Sequence, residues 1–254
     1  MESTNKYFFK DMSVMFGRSM RHIFRSMDTI ITVCLTPIAM MLLFVYVFGG
    51  AIKTGTENYI NYILPGIMLM AIGSGISYVS YRIFIDKERG IFERFHSMPI
   101  ARSTVLWGYV LTSLISNGIS VIVIILVALL MGFRSSAGIL EWLAVFGILG
   151  IFTLTLTWIA VIAGLAAKTP DGAVAFAYPI IFLPFISSAF VPTDTMPSTV
   201  RVFAENQPVT PIVETIRNLL SNKPVGNEIW IALAWCIAIM VIAYIIAMMI
   251  DKKL

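Results

Sequence analysis

The richest side-chain chemistry in this chain is concentrated in one run, Ile85-Asp86-Lys87-Glu88-Arg89-Gly90-Ile91-Phe92-Glu93-Arg94-Phe95-His96-Ser97-Met98-Pro99. Charges of both signs alternate there with Ile91, Phe92 and Phe95, and Pro99 closes the segment. That mixture suits a short helix pressed into a groove on another protein; a charged helix lying on lipid is the alternative. It does not suit covalent catalysis. The chain carries no G-x-x-x-x-G-K-[ST] phosphate loop, no H-E-x-x-H pair and no G-x-S-x-G elbow. Its two histidines, His22 and His96, are far apart in sequence. Its two cysteines, Cys34 and Cys236, fall inside apolar runs and read as small hydrophobes, supporting neither a metal site nor a disulfide framework. The expectation is a chain with no catalytic residues, no metal and no cofactor of its own, so that any ATP hydrolysis comes from another subunit.

A second polar stretch is stranded among apolar runs: Phe190-Val191-Pro192, then Met196-Pro197, then Asn206-Gln207-Pro208-Val209-Thr210. Val200, Phe203, Ile212, Ile216, Leu219 and Leu220 recur around it with roughly helical spacing, in pieces too short to span a bilayer. Two short helices dipping into the outer leaflet and returning would satisfy the pattern. Pro208 and Pro211 would mark the turn and Asn206 would cap exposed backbone groups. An ordered extracellular loop is the alternative.

The elements that must hold these groups are strongly apolar. Hydrophobic residues make up 58% of the 254-residue chain and charged residues 13%, whereas a soluble domain carries about 25% charged residues. Six apolar runs, each about as long as a ~30 Å hydrocarbon layer requires, cover Thr29–Phe48, Tyr59–Tyr81, Val105–Met131, Trp142–Ala167, Ala173–Val191 and Ile229–Ile250. The fourth and fifth are separated only by Lys168 to Gly172, a tight hairpin. The predicted fold class is therefore an all-α membrane protein with six transmembrane helices, an N-terminal amphipathic interfacial helix and a re-entrant helical hairpin before the last span. In this division residues 1–28 form the cytoplasmic interface helix and residues 29–254 the transmembrane domain. A docking helix lies at about 86–98 and the re-entrant segment at about 198–220.

The net charge of +4 is spread beside the apolar runs and not gathered in a patch, which speaks for membrane topology and anionic lipid and against nucleic acid. Lys6, Lys10, Arg18, Arg21, Arg25, Arg82, Lys87, Arg89, Arg94, Arg102, Lys168, Lys252 and Lys253 fall on one side of the six runs, against Lys53, Arg134, Arg201, Arg217 and Lys223 on the other. The excess of positive charge places both termini in the cytoplasm. No cleavable signal peptide is evident, because the apolar run after the basic N-terminus is too long for a signal core. Within that N-terminus Phe9, Met12, Phe16, Met20, Ile23 and Met27 recur every three or four residues, with Lys10, Arg18, Arg21 and Arg25 on roughly the opposite face. That is a basic amphipathic helix fit to lie in the interface.

No Asp, Glu, Lys or Arg falls well inside any of the six runs, which weighs against an ion-coupled carrier and suits an uncharged or lipid-like pathway. Pro179 and Pro184 each remove a backbone donor and should bend or break the fifth helix. Ala71 with Gly75, Gly73 with Ser77, and Ala160 with Gly164 are small residues at four-residue spacing. They allow close helix approach, read here as packing within the chain, with a seam between two copies as the alternative.

On these residues the chain resembles the membrane subunits of ABC-2 type exporters, and within them the daunorubicin-resistance-like drug permeases. Three features carry the likeness. F-V-P followed by M-P and N-x-P-x-T matches Phe190 to Pro192, Met196-Pro197, and Asn206, Pro208 and Thr210, with Arg217 following. E-R-G-x-x-E-R matches Glu88 to Arg94, ending at Pro99. The order of amphipathic N-terminus, six spans and long outer loop matches over nearly the whole chain.

The resemblance implies a homo- or heterodimer of permeases joined to two cytoplasmic ABC ATPase subunits, with ATP and Mg on those partners. It implies an ATPase-coupling interface at Glu88, Arg89, Gly90, Phe92, Glu93 and Arg94, and an interface helix bearing Phe9, Arg18, Arg21 and Arg25 beside it. It places an outer gate or re-entrant motif at Phe190, Pro192, Pro197, Asn206, Pro208 and Thr210. The function expected is export of a hydrophobic or amphiphilic compound (drug, antibiotic or lipid-like) across a bacterial cytoplasmic membrane, in contact with lipids. An ion-gradient-driven carrier and a non-transporting membrane scaffold are the rival readings.

Overall fold

The computed structural model describes Gly17 and residues 27–49, 58–96 and 102–251. The predicted interface helix, with Phe9, Arg18, Arg21 and Arg25, lies outside the described residues. Among those described the chain is almost entirely helical and contains no strand. Its helices are α1 (Met27–Leu43, continued by a π-helical turn Phe44–Phe48), α2 (Tyr59–Glu88), α3 (Ile91–His96), α4 (Arg102–Leu130), α5 (Ile139–Ala166), α6 (Pro170–Ala175), α7 (Ala177–Phe182), α8 (Ser198–Asn206), α9 (Val209–Leu220) and α10 (Glu228–Asp251). Short 3₁₀ turns follow α7 at Leu183–Ile186 and precede α8 at Thr193–Thr195.

Four of the helices are long and apolar enough to cross a membrane: Tyr59–Glu88, Thr104–Leu130, Ile139–Ala166 and Glu228–Asp251. The first and fifth of the six predicted runs are shorter apolar stretches, Cys34–Phe48 and Pro170–Ile186. The fifth is broken where its prolines sit. Pro179 lacks the N–H that would bond the carbonyl of Ala175, where α6 ends. Pro184 lacks the N–H that would bond Ile180, and the helix tightens to 3₁₀ at Leu183. The hairpin before it is well built: Oγ1 of Thr169 accepts the N–H of Gly172 at 3.1 Å, with Pro170 at the first helical position and Asp171 in the first turn.

The second predicted span ends later than expected. Nothing between Tyr81 and Glu88 breaks the helix, so α2 runs on until Gly90 adopts φ +64° and the chain turns into α3. The docking helix predicted at about 86–98 is consequently split: Asp86 to Glu88 are the last turn of α2, and only Ile91–His96 is a separate helix.

α2 is the centre of the bundle. It is apolar nearly all round, buries Ile63, Leu64, Ile67, Met68 and Ile76 completely, and packs against α1, α4, α5, α6 and α7. A second buried cluster around Ile83, Phe92, Leu106, Tyr109, Trp158 and Leu165 closes the end nearer Glu88. The outward faces of α4, α5 and α10 are apolar instead, with Leu126 56%, Leu143 63%, Ile242 58% and Trp230 69% exposed. Stripes of that kind on helices long enough to span require hydrocarbon around them. This is a multi-pass membrane protein.

The small residues serve helix approach within the chain. A methyl group at Gly164 would lie 2.7 Å from the backbone oxygen of Ser80, and one at Gly73 3.2 Å from Ile181.

Candidate functional site

The Glu88 end of α2 carries the charged segment. Its aromatic residue points inward: Phe92 is 1% exposed and stacks on Tyr109 of α4 with ring centroids 6.3 Å apart. The Tyr109 hydroxyl donates to the buried carboxylate of Asp86. Lys87 Nζ donates to the backbone oxygen of Leu165 in the last turn of α5 at 2.7 Å. The short α3 is thus seated on α2 and α4, and α2 is tied to α5. What this end presents outward is charge: Glu88, Arg89, Glu93 and Arg94 are all exposed. Phe92 therefore does not reach out to a partner, as the sequence pattern suggested, but anchors the charged residues to the bundle.

The Tyr59 end carries the polar stretch. Phe190 is buried and stacks between Phe44 and Phe185, with centroids 4.7 and 4.9 Å away. The Tyr59 hydroxyl donates to the Phe190 backbone oxygen at 2.9 Å. Gly66 of α2 makes room for Ala189, whose Cβ would be 2.6 Å from a methyl group there. Arg217 of α9 closes the arrangement. Its guanidinium lies 3.7 Å from the ring centroid of Tyr62, donates twice to the Tyr62 backbone oxygen at 3.2 Å, and donates to that of Ser188 at 2.6 Å. One planar cation thus holds the start of α2 against the segment leaving the broken helix.

Pro197 precedes α8, Pro208 precedes α9 without a side-chain cap, and Thr210 is buried with its hydroxyl donating to the Ala204 backbone oxygen. The buried Gln207 donates to Ile186, tying the α8–α9 turn to the end of the 3₁₀ segment. Asn206 does not cap a helix start as expected. It is the last residue of α8, exposed, and its side chain donates to the Val202 backbone oxygen at 2.8 Å. Arg201 and Glu205, 2.7 Å apart on the exposed side of α8, form an i,i+4 pair in which the carboxylate raises the guanidinium further above its ordinary value.

Between the two ends lies a neutral polar cluster. The hydroxyls of Ser113 and Thr157 are 2.8 Å apart, and Asn117 Nδ2 donates to the Ser113 backbone oxygen at 2.9 Å. Asn117 Oδ1 lies against Gly75 so closely that a methyl group there would be 2.1 Å away. This buried oxygen has no hydrogen-bond donor among the described residues. α2, α4 and α5 meet here without a charged side chain.

Residues 10–220 match the family model described as ABC-2 type transporter. The chain belongs to the ABC-2 type transporter family. It is similar to the daunorubicin resistance ABC transporter permease protein DrrB1 of Streptomyces coeruleorubidus, 27% identical over 75% of this chain and 68% of that one. It is also similar to a doxorubicin resistance ABC transporter permease protein, DrrC, of Mycobacterium tuberculosis, 25% identical over 86% of this chain and 79% of the relative. A transport permease of Cyanophora paradoxa, ycf38, is 25% identical over 87% and 77%.

This ABC-2 permease holds its six inner candidates, Glu88, Arg89, Gly90, Phe92, Glu93 and Arg94, across the end of α2, the turn after it and the short α3. Of the outer ones, it joins Phe190 and Thr210 to the core and leaves Pro197 and Asn206 exposed. The two groups sit near opposite ends of α2. The sequence pattern did not single out Tyr59, Tyr62 and Ser188 in the outer group or Tyr109 in the inner one, and it gave no role to Gln207 or Asp86 within the runs that contain them. The tyrosines had a signal, aromatic rings in the first turn of an apolar run. The backbone acceptors had none.

Proposed function

We propose that this ABC-2 permease is the membrane subunit of an exporter that moves a hydrophobic or amphiphilic compound outward across the cytoplasmic membrane. It works as a homo- or heterodimer driven by two cytoplasmic ATPase subunits, which carry the ATP and Mg. In this reading the chain crosses six times, the first and fifth crossings being the interrupted helices. Both termini face the cytoplasm, and α8–α9 re-enter the outer leaflet as a hairpin. The packing of α9 on α10, α5 and α2 supports the re-entrant placement. Kinship with permeases named for daunorubicin and doxorubicin resistance supports a lipophilic cargo, as does the uncharged middle of α2, α4, α5 and α10.

The observation that carries the mechanism is the seating of α3. A charged outer edge bears on the ATPase while Phe92, Asp86 and Lys87 link that edge to α4, α2 and α5. Closure of the ATPases pushes on Glu88 to Arg94, and the push enters three spanning helices at once. α2 delivers it to the Phe190–Arg217 assembly at its far end, where the gate opens. A double substitution, Glu88→Ala with Arg94→Ala, is expected to abolish stimulation of the ATPase by the permease and to stop export, with the chain still inserted. Unchanged stimulation and export would sink the coupling assignment.

A further inference from the structure

The cleft beside the charged turn includes a cation, Arg82, that coupling does not use. It encloses about 340 Å³ and is lined by Tyr78, Tyr81, Arg82, Asp86 and Arg89 among others. Two guanidinium groups stand there against one carboxylate, and that carboxylate already accepts the Tyr109 hydroxyl. Arg82 is half-buried, and its Nε, shielded from solvent, has no hydrogen-bond partner among the described residues. A buried N–H on a cation is costly to leave unpaired, and the carboxylate of Asp86, which takes the Tyr109 hydroxyl, does not pair with it. On the other side of Tyr78 and Arg82 a second, smaller hollow lies between α2 and α4 beside Thr112 and Ser116, about 20 Å³ in volume, room for roughly one water.

We propose that this cleft binds the phosphodiester headgroup of an anionic phospholipid. Arg82 and Arg89 take the phosphate oxygens as charge-assisted donors. Tyr78 and Tyr81 flank it with rings that are apolar at one end and hydroxylated at the other, the form suited to headgroup depth. A basic recess where α2 turns into α3, at the cytoplasmic boundary in this reading, has the electrostatics for such a lipid. The small hollow beside it cannot admit an acyl chain, so the tails remain in the surrounding bilayer. A lipid held here would lie against the turn from α2 to α3, adjoining the coupling segment without being cargo. The assignment rests on the reading that places the Glu88 end of α2 at the cytoplasmic face.

The test is native mass spectrometry of the purified full-length complex given equimolar phosphatidylglycerol and phosphatidylethanolamine. The wild type should retain phosphatidylglycerol preferentially. Arg82→Gln should cut that retention by about tenfold, the scale of one lost charge-assisted pair, and Arg82→Lys should keep part of it. Equal retention of the two lipids by the wild type would overturn the proposal without recourse to a variant. So would undiminished phosphatidylglycerol on Arg82→Gln. Displacement of the lipid by millimolar inorganic phosphate would assign the cleft to a soluble phosphoryl compound instead. The same spectra report bound ATPase independently. Lipid without ATPase would leave the site standing while removing the exporter reading, and ATPase without lipid the reverse.

Discussion

At the scale of single residues the tightest constraint is the meeting of Gly75 with Asn117. A methyl group at Gly75 would sit 2.1 Å from Asn117 Oδ1, and the amide cannot swing away without losing its bonds to Ser113. Gly75→Ala should therefore destabilise the detergent-solubilised protein by ~1–3 kcal/mol, the usual range for overpacking. Asn117→Ala should recover most of that loss in the double variant, read as a non-additive pair of melting temperatures. Additive shifts would mean that the two side chains do not share the space. Arg217 makes the complementary case. Its three bonds go to carbonyl oxygens and its plane lies over Tyr62, so lysine, a point charge without a plane, cannot replace it. Arg217→Lys should cost about 1.5–3 kcal/mol, as expected for hydrogen bonds to a charged group, visible as a lowered melting temperature.

At the scale of elements, the turn between α2 and α3 depends on Gly90 and Phe92. Gly90 has φ +64°, a conformation costing an L-residue with a side chain about 1–2 kcal/mol. Gly90→Val should loosen α3 without unfolding the bundle. Its expected signature is ATPase that binds but is no longer stimulated, measured as turnover in the reconstituted complex. The same logic applies to the broken fifth segment. Pro179→Ala together with Pro184→Ala restores both missing donors and should favour a continuous helix over Pro170–Ile186. If the break is a moving part, export slows while ATPase stimulation persists; an unaltered export rate would make it merely a bend. The prolines were legible as breakers because a missing N–H is a property of the residue itself. The extension of α2 beyond Tyr81 was not, because hydropathy marks where an apolar run ends and says nothing of where the backbone stops being helical. The stop is set by Gly90 and by Lys87 finding a carbonyl on α5.

At the scale of the whole molecule, outward apolar faces on α4, α5 and α10 confine the chain to a bilayer, and its family makes it an ABC-2 permease. Purification in mild detergent from the native host should yield a stoichiometric P-loop ATPase, two copies to two permeases, in the native mass spectrum. Its absence from folded protein would favour a carrier or a scaffold. Membrane residence, helical class, the long spans and the charged and proline-rich motifs could be read from the sequence, since each follows from composition, from periodicity or from residues near one another in the chain. Only the tertiary structure decided which way those motifs face. The charged segment alone could not reveal that Phe92 turns inward onto Tyr109, because the ring that receives it lies on another helix. Nor could Arg217 announce Tyr62 and Ser188, 155 and 29 residues away, because its acceptors are backbone oxygens, which every residue carries alike. Side-chain chemistry is written locally, whereas the partner that satisfies it is chosen by packing across the whole chain.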